Sequence, residues 1–405
     1  MRRLGWPRTP RRHNERLPRT AIQRTHCAKV LAPRGQCYNQ ICMTRMEQLA
    51  LVLKKIQPGA QAILVVHPPD VRYLTGFTGS NAAVIVPIAK PGDAVLFTDG
   101  RYIQQSKEEV RQARVEIVEQ SLMRSACGWM QQRGLQRCFF DAEHTTVSAL
   151  EAMRQAIAPK QRRSFFVPVA APVARLRQIK DATEIRALQK AADLGCDLFD
   201  AVLPQIEPGC REVEIAAQME LTARRAGADG MSFDTIVASG ARSALPHGRA
   251  TTQRLPKRGF VVLDFGVLLG GYCSDMTRTV HLGAASAAER AAYDAVLEAQ
   301  MAGVEAVRPG ATCGEVDEAA RSVLRRAKLA QHFTHSTGHG VGLEIHEGPR
   351  LAAGQKQVLE PGMVITVEPG IYLPKRFGIR IEDMVLVTAR GGKVLTRSPK
   401  ALVEL

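Results

Sequence analysis

Several features that mark specialised classes of protein are missing from this sequence of 405 residues. Its nine cysteines are odd in number, scattered and without a CxxC motif, so neither a disulfide framework nor a structural zinc site is expected. No run of about eighteen apolar residues occurs, which predicts the absence of a transmembrane helix. The HExxH motif of the zincins is lacking, and residues 46–170 contain no glycine-rich phosphate loop.

Acidic residues are scarce at the N-terminus, and most of the net charge of +16 is located there. Residues 1–45 hold eleven Lys and Arg residues against the single acid Glu15, whereas the other 360 residues carry 44 basic and 38 acidic side chains. This segment could be a basic arm for an acidic partner, or an organelle transit sequence, although it lacks serine. We favour a disordered extension or a mis-assigned start, because an amphipathic helical pattern begins at Met46, close to Met43.

The pattern of predicted strands and helices changes once along the chain, which predicts two domains. Two domains agree with the length of the chain. Over residues 46–172, short apolar strands alternate with helical segments, as is typical of an α/β domain, and no catalytic residues stand out. A basic stretch then leads into a long helix that begins after Asp181, with Glu184 three residues on, which is a capping-box pattern. Beyond this helix, strands come in pairs joined by short turns, so residues 173–405 are predicted to form an α+β domain.

Two aspartates interrupt apolar strands on either side of a glycine turn. Asp264 and Asp275 flank Gly270-Gly271 in the segment FVVLDFGVLLGGYCSDMTRT. A tight hairpin centred between residues 269 and 270 places the two carboxylates opposite each other, with Cβ atoms about 5 Å apart. Facing carboxylates repel unless they share a proton or bind a cation. A polar face of an edge strand is the alternative, but a metal ion better explains why both acids lie within apolar strands.

A second pair of acids has a similar setting. Glu368 ends the apolar strand of VITVEPGIY, and Glu382 is predicted inside the strand of FGIRIEDMVLV. Arg380 lies on the same strand face as Glu382, because side chains alternate with a period of two. An acid pair beside an arginine is also the pattern of an ordinary salt-bridge cluster, and for this pair alone both interpretations stay open.

Histidines are concentrated between the two acidic pairs, in the segment HSTGHGVGLEIHEGP. Glycines around His339 let the backbone approach another group closely but weaken a helix, so a helical metal pair with His335 is not predicted. One imidazole among several carboxylates favours a hard ion such as Mn²⁺ or Co²⁺. Four carboxylates exceed the need of one ion, so two ions about 3.5–4 Å apart are predicted. The implied chemistry is metal-assisted hydrolysis.

These segments closely resemble the M24 peptidases of the creatinase, or pita-bread, fold. The resemblance rests on the segments LDFG, YCSDMTRT, HSTGHGVGLEIHE, VEPGIY and GIRIED, and on the order of the residues Asp264, Asp275, His339, Glu368 and Glu382. Within this family the sequence looks like the branch of Xaa-Pro aminopeptidases and Xaa-Pro dipeptidases (prolidases), over residues 46–405. The resemblance implies a creatinase-like N-terminal α/β domain followed by a pita-bread catalytic domain of the α+β class.

The resemblance also implies a role for each acid of the site. Two divalent ions would be held by Asp264 on one ion, Asp275 and Glu382 bridging both, and His339 and Glu368 on the other. Mn²⁺ is the expected metal, with Co²⁺ and Zn²⁺ as alternatives. Glu368 would help to deprotonate the bridging hydroxide that attacks the peptide carbonyl. Arg380 would orient the Glu382 carboxylate from behind.

Four more residues are implied around the substrate. His247, in the loop segment ALPHG, would help to stabilise the reacting amide. His346 would donate a hydrogen bond to the substrate carbonyl or to the tetrahedral oxyanion. His335 would line the pocket on the proline side, and Tyr372 would line the cleft.

The activity implied by the resemblance is that of an Xaa-Pro aminopeptidase, which hydrolyses the bond between an N-terminal residue and proline. This bond calls for a specialised enzyme, because it is a tertiary amide with no N–H and a fixed ring. A dipeptidase restricted to Xaa-Pro dipeptides is the alternative. A non-catalytic scaffold is a remote alternative, since every expected ligand position is filled. A cytoplasmic homodimer that acts on proline-containing peptides, without a nucleic-acid or membrane partner, is also expected.

Overall fold

The computed structural model describes residues 43–56 and 59–405, so the interpretation of residues 1–42 as an extension or a mis-assigned start lies outside the described residues. Residues 43–405 form one compact unit. Within the described residues, the longest helices are too polar to span a bilayer.

The N-terminal part of the unit is a mixed six-stranded sheet with helices on both faces. Helix α1 (Arg45–Ile56) begins where the amphipathic pattern predicts and packs Met46, Leu49 and Leu53 against one face. The other helices of this part are α2 (Pro68–Thr75), α3 (Ile103–Glu109), α4 (Leu122–Gln132) and α5 (Val147–Gln155). The strands are β1 (Ala62–Val65), β2 (Ala82–Pro87), β3 (Val95–Asp99), β4 (Arg114–Val118), β5 (Cys138–Asp141) and β6 (Phe166–Val169).

The order of strands in this sheet is β4-β3-β2-β1-β5-β6. Strand β2 is antiparallel to both its neighbours, whereas β3–β4, β1–β5 and β5–β6 are parallel. The central strands are buried on both faces, and two separate apolar clusters cover the sheet. Continuous apolar strands of this kind are what a sheet with helices on both faces requires, and the predicted α/β pattern is observed.

The chain then enters a region of long helices and antiparallel strands. Its first long helix has the predicted capping box, since Asp181 accepts from the Glu184 amide and Glu184 accepts from the Asp181 amide. The predicted domain boundary at residue 172 falls at the start of a short helix, and it stays a prediction because no division is observed within the compact unit. The helices are α6 (Pro172–Arg177), α7 (Ala182–Val202), α8 (Glu212–Arg225), α9 (Ala287–Ala306) and α10 (Cys313–Arg326).

The strands of this second part form small antiparallel sheets, as its paired apolar runs predict. They are β7 (Gly230–Met231), β8 (Ile236–Ser239), β9 (Gly259–Phe265), β10 (Val267–Leu269), β11 (Tyr272–Cys273), β12 (Met276–Leu282), β13 (Gly338–Gly340), β14 (Glu347–Leu351), β15 (Val364–Val367), β16 (Gly370–Leu373), β17 (Phe377–Arg380), β18 (Asp383–Thr388) and β19 (Gly391–Val394). The sheets are ordered β12-β9-β8, β11-β10-β7, β14-β13-β15-β18-β19 and β16-β17.

The hairpin around Gly270-Gly271 has a different register from the predicted one. Both glycines have positive φ and form the two turn residues, so the pairing centre lies between them. As a result Asp264 pairs with Thr277, and the predicted direct pairing of Asp264 with Asp275 is wrong. The shift amounts to two residues on one strand, which keeps both aspartates on the same face.

Candidate metal centre

The predicted acids converge on one cavity from breaks and ends of strands. Asp264 lies near the end of β9, and Asp275 immediately precedes β12. Glu368 immediately follows β15, as predicted. Glu382 lies in the break between β17 and β18, not inside a strand as predicted. At such breaks a side chain can turn away from the regular alternation, which explains how four acids reach the same space.

His339 is placed by a tightly packed strand. It lies in β13, which runs between β14 and β15, and its backbone amide donates to Thr366 Oγ1. A Cβ atom on Gly338 would lie 2.0 Å from the Thr366 carbonyl oxygen, and one on Gly340 would lie 2.1 Å from the Gly348 carbonyl oxygen. The glycines on both sides of His339 are therefore required by close approach of the backbone, as the sequence predicts.

The orientation of the His339 ring suits metal binding. Its Nδ1 lies 3.0 Å from the Gly340 carbonyl oxygen, which fixes the proton on Nδ1 and leaves a lone pair on Nε2. Nε2 faces Asp275 Oδ2 at 3.6 Å and Glu368 Oε1 at 3.5 Å. Because burial lowers the pKa of His339 to about 4, the ring is neutral near neutral pH. A lone pair that faces two carboxylates is the arrangement expected around a cation.

The carboxylates of the centre repel one another. Burial, together with the charges of Glu382 and Asp264, raises the pKa of Asp275 well above its ordinary value. Burial and the charges of Glu368 and Asp264 do the same for the pKa of Glu382. Burial also raises the pKa of Glu368. One ligand atom from each of Asp275, His339 and Glu382 lies within 4.8 Å of the others. This donor set fits a divalent ion, which would neutralise the repulsion.

Arg380 contacts a different acid from the predicted one. Its guanidinium donates to Asp264 Oδ2, whereas it reaches Glu382 only through Thr277, which accepts from Arg380 Nε and donates to Glu382 Oε2 at 2.6 Å. Within the described residues, Arg380 makes no direct hydrogen bond to Glu382. The prediction that Arg380 orients Glu382 is therefore corrected to an indirect contact through Thr277. Thr277 itself was missed, because nothing in the sequence distinguishes it from its neighbours in β12.

Tyr372 and His335 form a second chain of contacts behind the cavity. Arg380 donates to the Tyr372 hydroxyl at 2.6 Å, and this hydroxyl lies 2.8 Å from His335 Nε2. His335 Nδ1 lies 2.8 Å from the Ser336 carbonyl oxygen, so Nδ1 carries the proton and Nε2 accepts from Tyr372. Burial lowers the pKa of His335 to about 4, which agrees with a neutral ring.

The site opens into a cavity of about 690 Å³. His247 and His346 are exposed to it. The His346 and His339 rings contact each other edge to face, with their centroids 4.4 Å apart. Tyr372 is buried, and it is not one of the described residues that line the cavity, contrary to the prediction for it. Every other predicted site residue lines this cavity: His247, Asp264, Asp275, His335, His339, His346, Glu368, Arg380 and Glu382.

The cavity wall also includes residues that the sequence does not single out. Arg350 lies opposite His339 in the β13–β14 pair and is exposed. Arg249 is 79% exposed and pairs with Asp234 at 3.1 Å. Their sequence context is that of ordinary surface residues, and only the strand pairing would have placed Arg350 beside the histidines.

Comparison with known proteins links these features to one family. The sequence model of metallopeptidase family M24 matches residues 186–389, and that of the creatinase/prolidase N-terminal domain matches residues 45–179. An uncharacterized peptidase of Bacillus subtilis is 40% identical over 352 residues, which is 86% of this chain and 97% of that protein. The Xaa-Pro dipeptidase of Pyrococcus furiosus is 46% identical over 228 residues, which is 56% of this chain and 66% of that protein.

Solved structures extend the likeness to the whole fold. The Xaa-Pro dipeptidase from Bacillus anthracis has a TM-score of 0.85 at 38% identity and covers 89% of this chain and 99% of that chain. The X-Pro aminopeptidase from Thermotoga maritima has a TM-score of 0.80 at 33% identity and covers 90% of this chain and 100% of that chain. The predicted combination of a creatinase-like α/β domain with an α+β pita-bread catalytic domain is confirmed.

Proposed function

The chain belongs to metallopeptidase family M24, and from this membership we propose that it is a dimetal Xaa-Pro aminopeptidase. The observation that carries the proposal is the buried cluster of repelling carboxylates around the free lone pair of His339. A protein gains nothing in stability from acids placed in this way, whereas a metal site depends on them.

We propose five ligands for two divalent ions, with Mn²⁺ as the expected metal and Co²⁺ and Zn²⁺ as alternatives: Asp264, Asp275, His339, Glu368 and Glu382. When bound, such ions lower the pKa of water and polarise a carbonyl group. Asp264 is held in place by the Arg380 guanidinium, and Glu382 by the Thr277 hydroxyl. These contacts fix the oxygens that have to point into the site.

The remaining groups of the cavity are proposed to handle the proton and the developing negative charge. Glu368 Oε1 lies 3.5 Å from His339 Nε2, beside the proposed ions, and its carboxylate is proposed to take up a proton from the attacking water. His346 and His247 are exposed to the cavity and are proposed to donate hydrogen bonds to the substrate carbonyl or the oxyanion. His335, held by Tyr372 and Ser336, provides a fixed neutral wall on the proline side.

The size of the cavity suits a short peptide substrate. At about 690 Å³ it lies within the range of about 300–1,000 Å³ that is usual for small-ligand sites. The enzyme is also proposed to be a homodimer located in the cytoplasm. No nucleic-acid or membrane partner is proposed.

A different feature of the cavity favours the dipeptidase. Two exposed guanidinium groups, those of Arg249 and Arg350, line the wall, and the C-terminal carboxylate of a dipeptide would form strong bidentate hydrogen bonds with such a group. Relatives and structural neighbours named as Xaa-Pro dipeptidases lend support to this second candidate.

One assay separates the two candidates. The metal-free chain is reconstituted with Mn²⁺ and given Ala-Pro and Arg-Pro-Pro-Gly in parallel. Release of arginine from the tetrapeptide is the expected result for an aminopeptidase, whereas cleavage of Ala-Pro alone would establish the dipeptidase. The His339→Ala and Asp264→Ala variants serve as controls and should cleave neither. Activity that survives in these variants, or failure of the reconstituted chain on both substrates, would contradict the proposal.

A further inference from the structure

The loop between β13 and β14 carries His346, which is proposed to donate a hydrogen bond to the reacting group. Its ring is exposed to the cavity and contacts the His339 ring. In the described part of the chain, no other group forms a hydrogen bond with the His346 ring. The position of this ring therefore depends on the backbone on either side of it, and on the contacts that fix that backbone.

Two acids flank His346 and share one arginine. Glu344 precedes the histidine by two residues, and Glu347 follows it directly. Arg177 Nη2 donates to Glu344 Oε2 and, at 2.7 Å, to Glu347 Oε1, and Arg177 Nε donates to the same Glu347 oxygen at 3.2 Å. The Glu344 amide also donates to Glu347 Oε1 at 3.2 Å. A single guanidinium group therefore holds both ends of the turn that presents His346.

Lys180 holds the second carboxylate oxygen of Glu347. Its ammonium group donates to Glu347 Oε2 at 3.2 Å, and the two side chains have exposed fractions of only 1% and 3%. The backbone of the lysine is fixed as well, since its amide donates to the Gly362 carbonyl oxygen at 2.9 Å. A Cβ atom on Gly342 would lie 2.5 Å from Glu347 Oε2, so this glycine leaves the space that the carboxylate occupies.

Both cations belong to the segment that joins the two parts of the chain. Arg177 ends α6, and Lys180 immediately precedes Asp181, which caps α7. On its other side, the Arg177 guanidinium donates to Asp70 in α2 at 2.6 Å. Burial lowers the pKa of Lys180, and apolar side chains of similar size would join the two parts at no greater cost in free energy. What the charges add is a fixed direction for the Glu347 carboxylate.

We propose that Arg177 and Lys180 are positioning residues that act through Glu347 to hold His346 at the reacting carbonyl group. This inference rests on the proposed function, in which His346 donates to the substrate carbonyl or the oxyanion. A displacement of about 1 Å at such a donor can lower the rate by about 100-fold. The segment between the two parts would thereby contribute to catalysis without contacting the substrate.

The test changes Lys180, because Glu347 lines the cavity whereas the side chain of Lys180 is buried. Lys180→Met keeps the length of the side chain and removes its charge. In the metal-reconstituted full-length chain it should lower kcat for Xaa-Pro cleavage about tenfold and change KM less than about twofold. In a chain that carries His346→Ala, the same substitution should cause no further loss, because the group that it positions is gone.

A network that only stabilises the fold predicts a different result, namely the same fractional loss of kcat with and without His346→Ala. Asp70→Asn is the matched control, because it breaks another buried ion pair of Arg177, on the side of the N-terminal part. Both Lys180→Met and Asp70→Asn should lower the melting temperature, whereas kcat should fall only in Lys180→Met. Glu347→Gln, in the same two backgrounds, is a second variant in case Lys180→Met fails to fold.

A second readout does not depend on cleavage. In a full-length chain that is loaded with Zn²⁺ and labelled with ¹³C in its histidine rings, the loss of one NMR signal in His346→Ala identifies His346. This signal should shift or broaden in Lys180→Met and stay in place in Asp70→Asn. If it does so in a chain that cleaves no Xaa-Pro bond, the proposed function fails and the positioning of His346 stands. An unchanged His346 signal, or equal fractional losses of kcat in both backgrounds, would overturn the inference.

Discussion

Glu382 and Asp383 are adjacent, acidic and buried, with exposed fractions of 2% and 0%, but their surroundings are opposite. The Asp383 carboxylate accepts hydrogen bonds from Arg278, Gln300, Thr396 and Lys400. Although burial alone would raise it, the charges of Arg278 and Lys400 hold the pKa of Asp383 below its ordinary value. Asp383 is a structural acid, and the cations that it needs are built into the fold.

The side chain of Glu382 points away from that of Asp383 and is surrounded by acids. Its carboxylate accepts a hydrogen bond from Thr277, and no lysine or arginine among the described residues donates to that carboxylate, although Arg278 donates to the Glu382 backbone carbonyl. Burial and the charges of Glu368 and Asp264 raise its pKa well above the ordinary value. A buried carboxylate without a cation is costly. The contrast supports the proposal that Glu382 binds a cation that comes from outside the chain.

The largest expected effect is on catalysis, and it should separate these two neighbours. Glu382→Gln keeps the shape of the side chain but removes a proposed metal ligand. We expect kcat/KM for Xaa-Pro substrates to fall by about 10⁴-fold or more, which is about 5.4 kcal/mol of transition-state stabilisation. The unfolding free energy of the metal-free variant should be unchanged or higher, because the cost of burying an acid among other acids is gone. Steady-state kinetics and urea unfolding in a chelator measure the two quantities.

Asp383→Asn is the matched control and should behave in the opposite way. It leaves the buried Arg278 guanidinium without its charged partner, so the unfolding free energy should drop by about 3–5 kcal/mol. The kcat/KM of the fraction that remains folded should change far less than in Glu382→Gln. If both variants lost activity and stability in the same proportion, the distinction between a structural and a functional acid would be wrong.

A smaller effect is expected from the hydroxyl groups that support the two acids. Thr277 donates to Glu382, and Thr396 donates to Asp383 at 2.7 Å. Thr277→Val should weaken metal binding about 10–100-fold, because the contact that orients a ligand is lost. Thr396→Val should instead lower the unfolding free energy by about 1–3 kcal/mol and leave metal affinity unchanged. Metal titration and urea unfolding of both variants check this, and equal metal affinities would argue against a positioning role for Thr277.

The sequence indicates the candidate metal centre well because the signal is local. Each acid stands out against an apolar strand, and the glycines around His339 mark a close backbone approach that the structure contains. The register of the hairpin was predicted wrongly, since its centre lies within Gly270-Gly271 and not before it. The convergence of Asp264 and Asp275 survives this error, because a shift of two residues keeps a side chain on its face.

Other features could not be predicted, because they depend on contacts between distant parts of the chain. Arg380 could pair with any nearby acid, and only the packing of β17 against β9 selects Asp264. Tyr372 reaches His335 across 37 residues of sequence, and Arg177 reaches Glu347 across 170. A local pattern carries no information on pairs of this kind. For the same reason the contact between His67 and Glu344 could not be predicted from the sequence.

The smallest effect expected from the contrast between Glu382 and Asp383 is on the pH dependence of stability in the metal-free chain. The pKa of Glu382 in the folded state is raised above its ordinary value of 4.5, so above that value the native state holds a proton that the unfolded state has lost. The unfolding free energy should therefore fall as the pH rises through this window, by up to about 1.4 kcal/mol per pH unit for one proton. Glu382→Gln should lessen this fall.

The pKa of Asp383 lies below its ordinary value of 3.8, so the stability that its charge contributes is lost only as the pH falls further. The loss of unfolding free energy in Asp383→Asn should therefore stay constant between about pH 5 and about pH 8. Urea unfolding of the three chains in a chelator gives the curves, and a curve for Glu382→Gln parallel to that of the unchanged chain would show that Glu382 is ionised without metal.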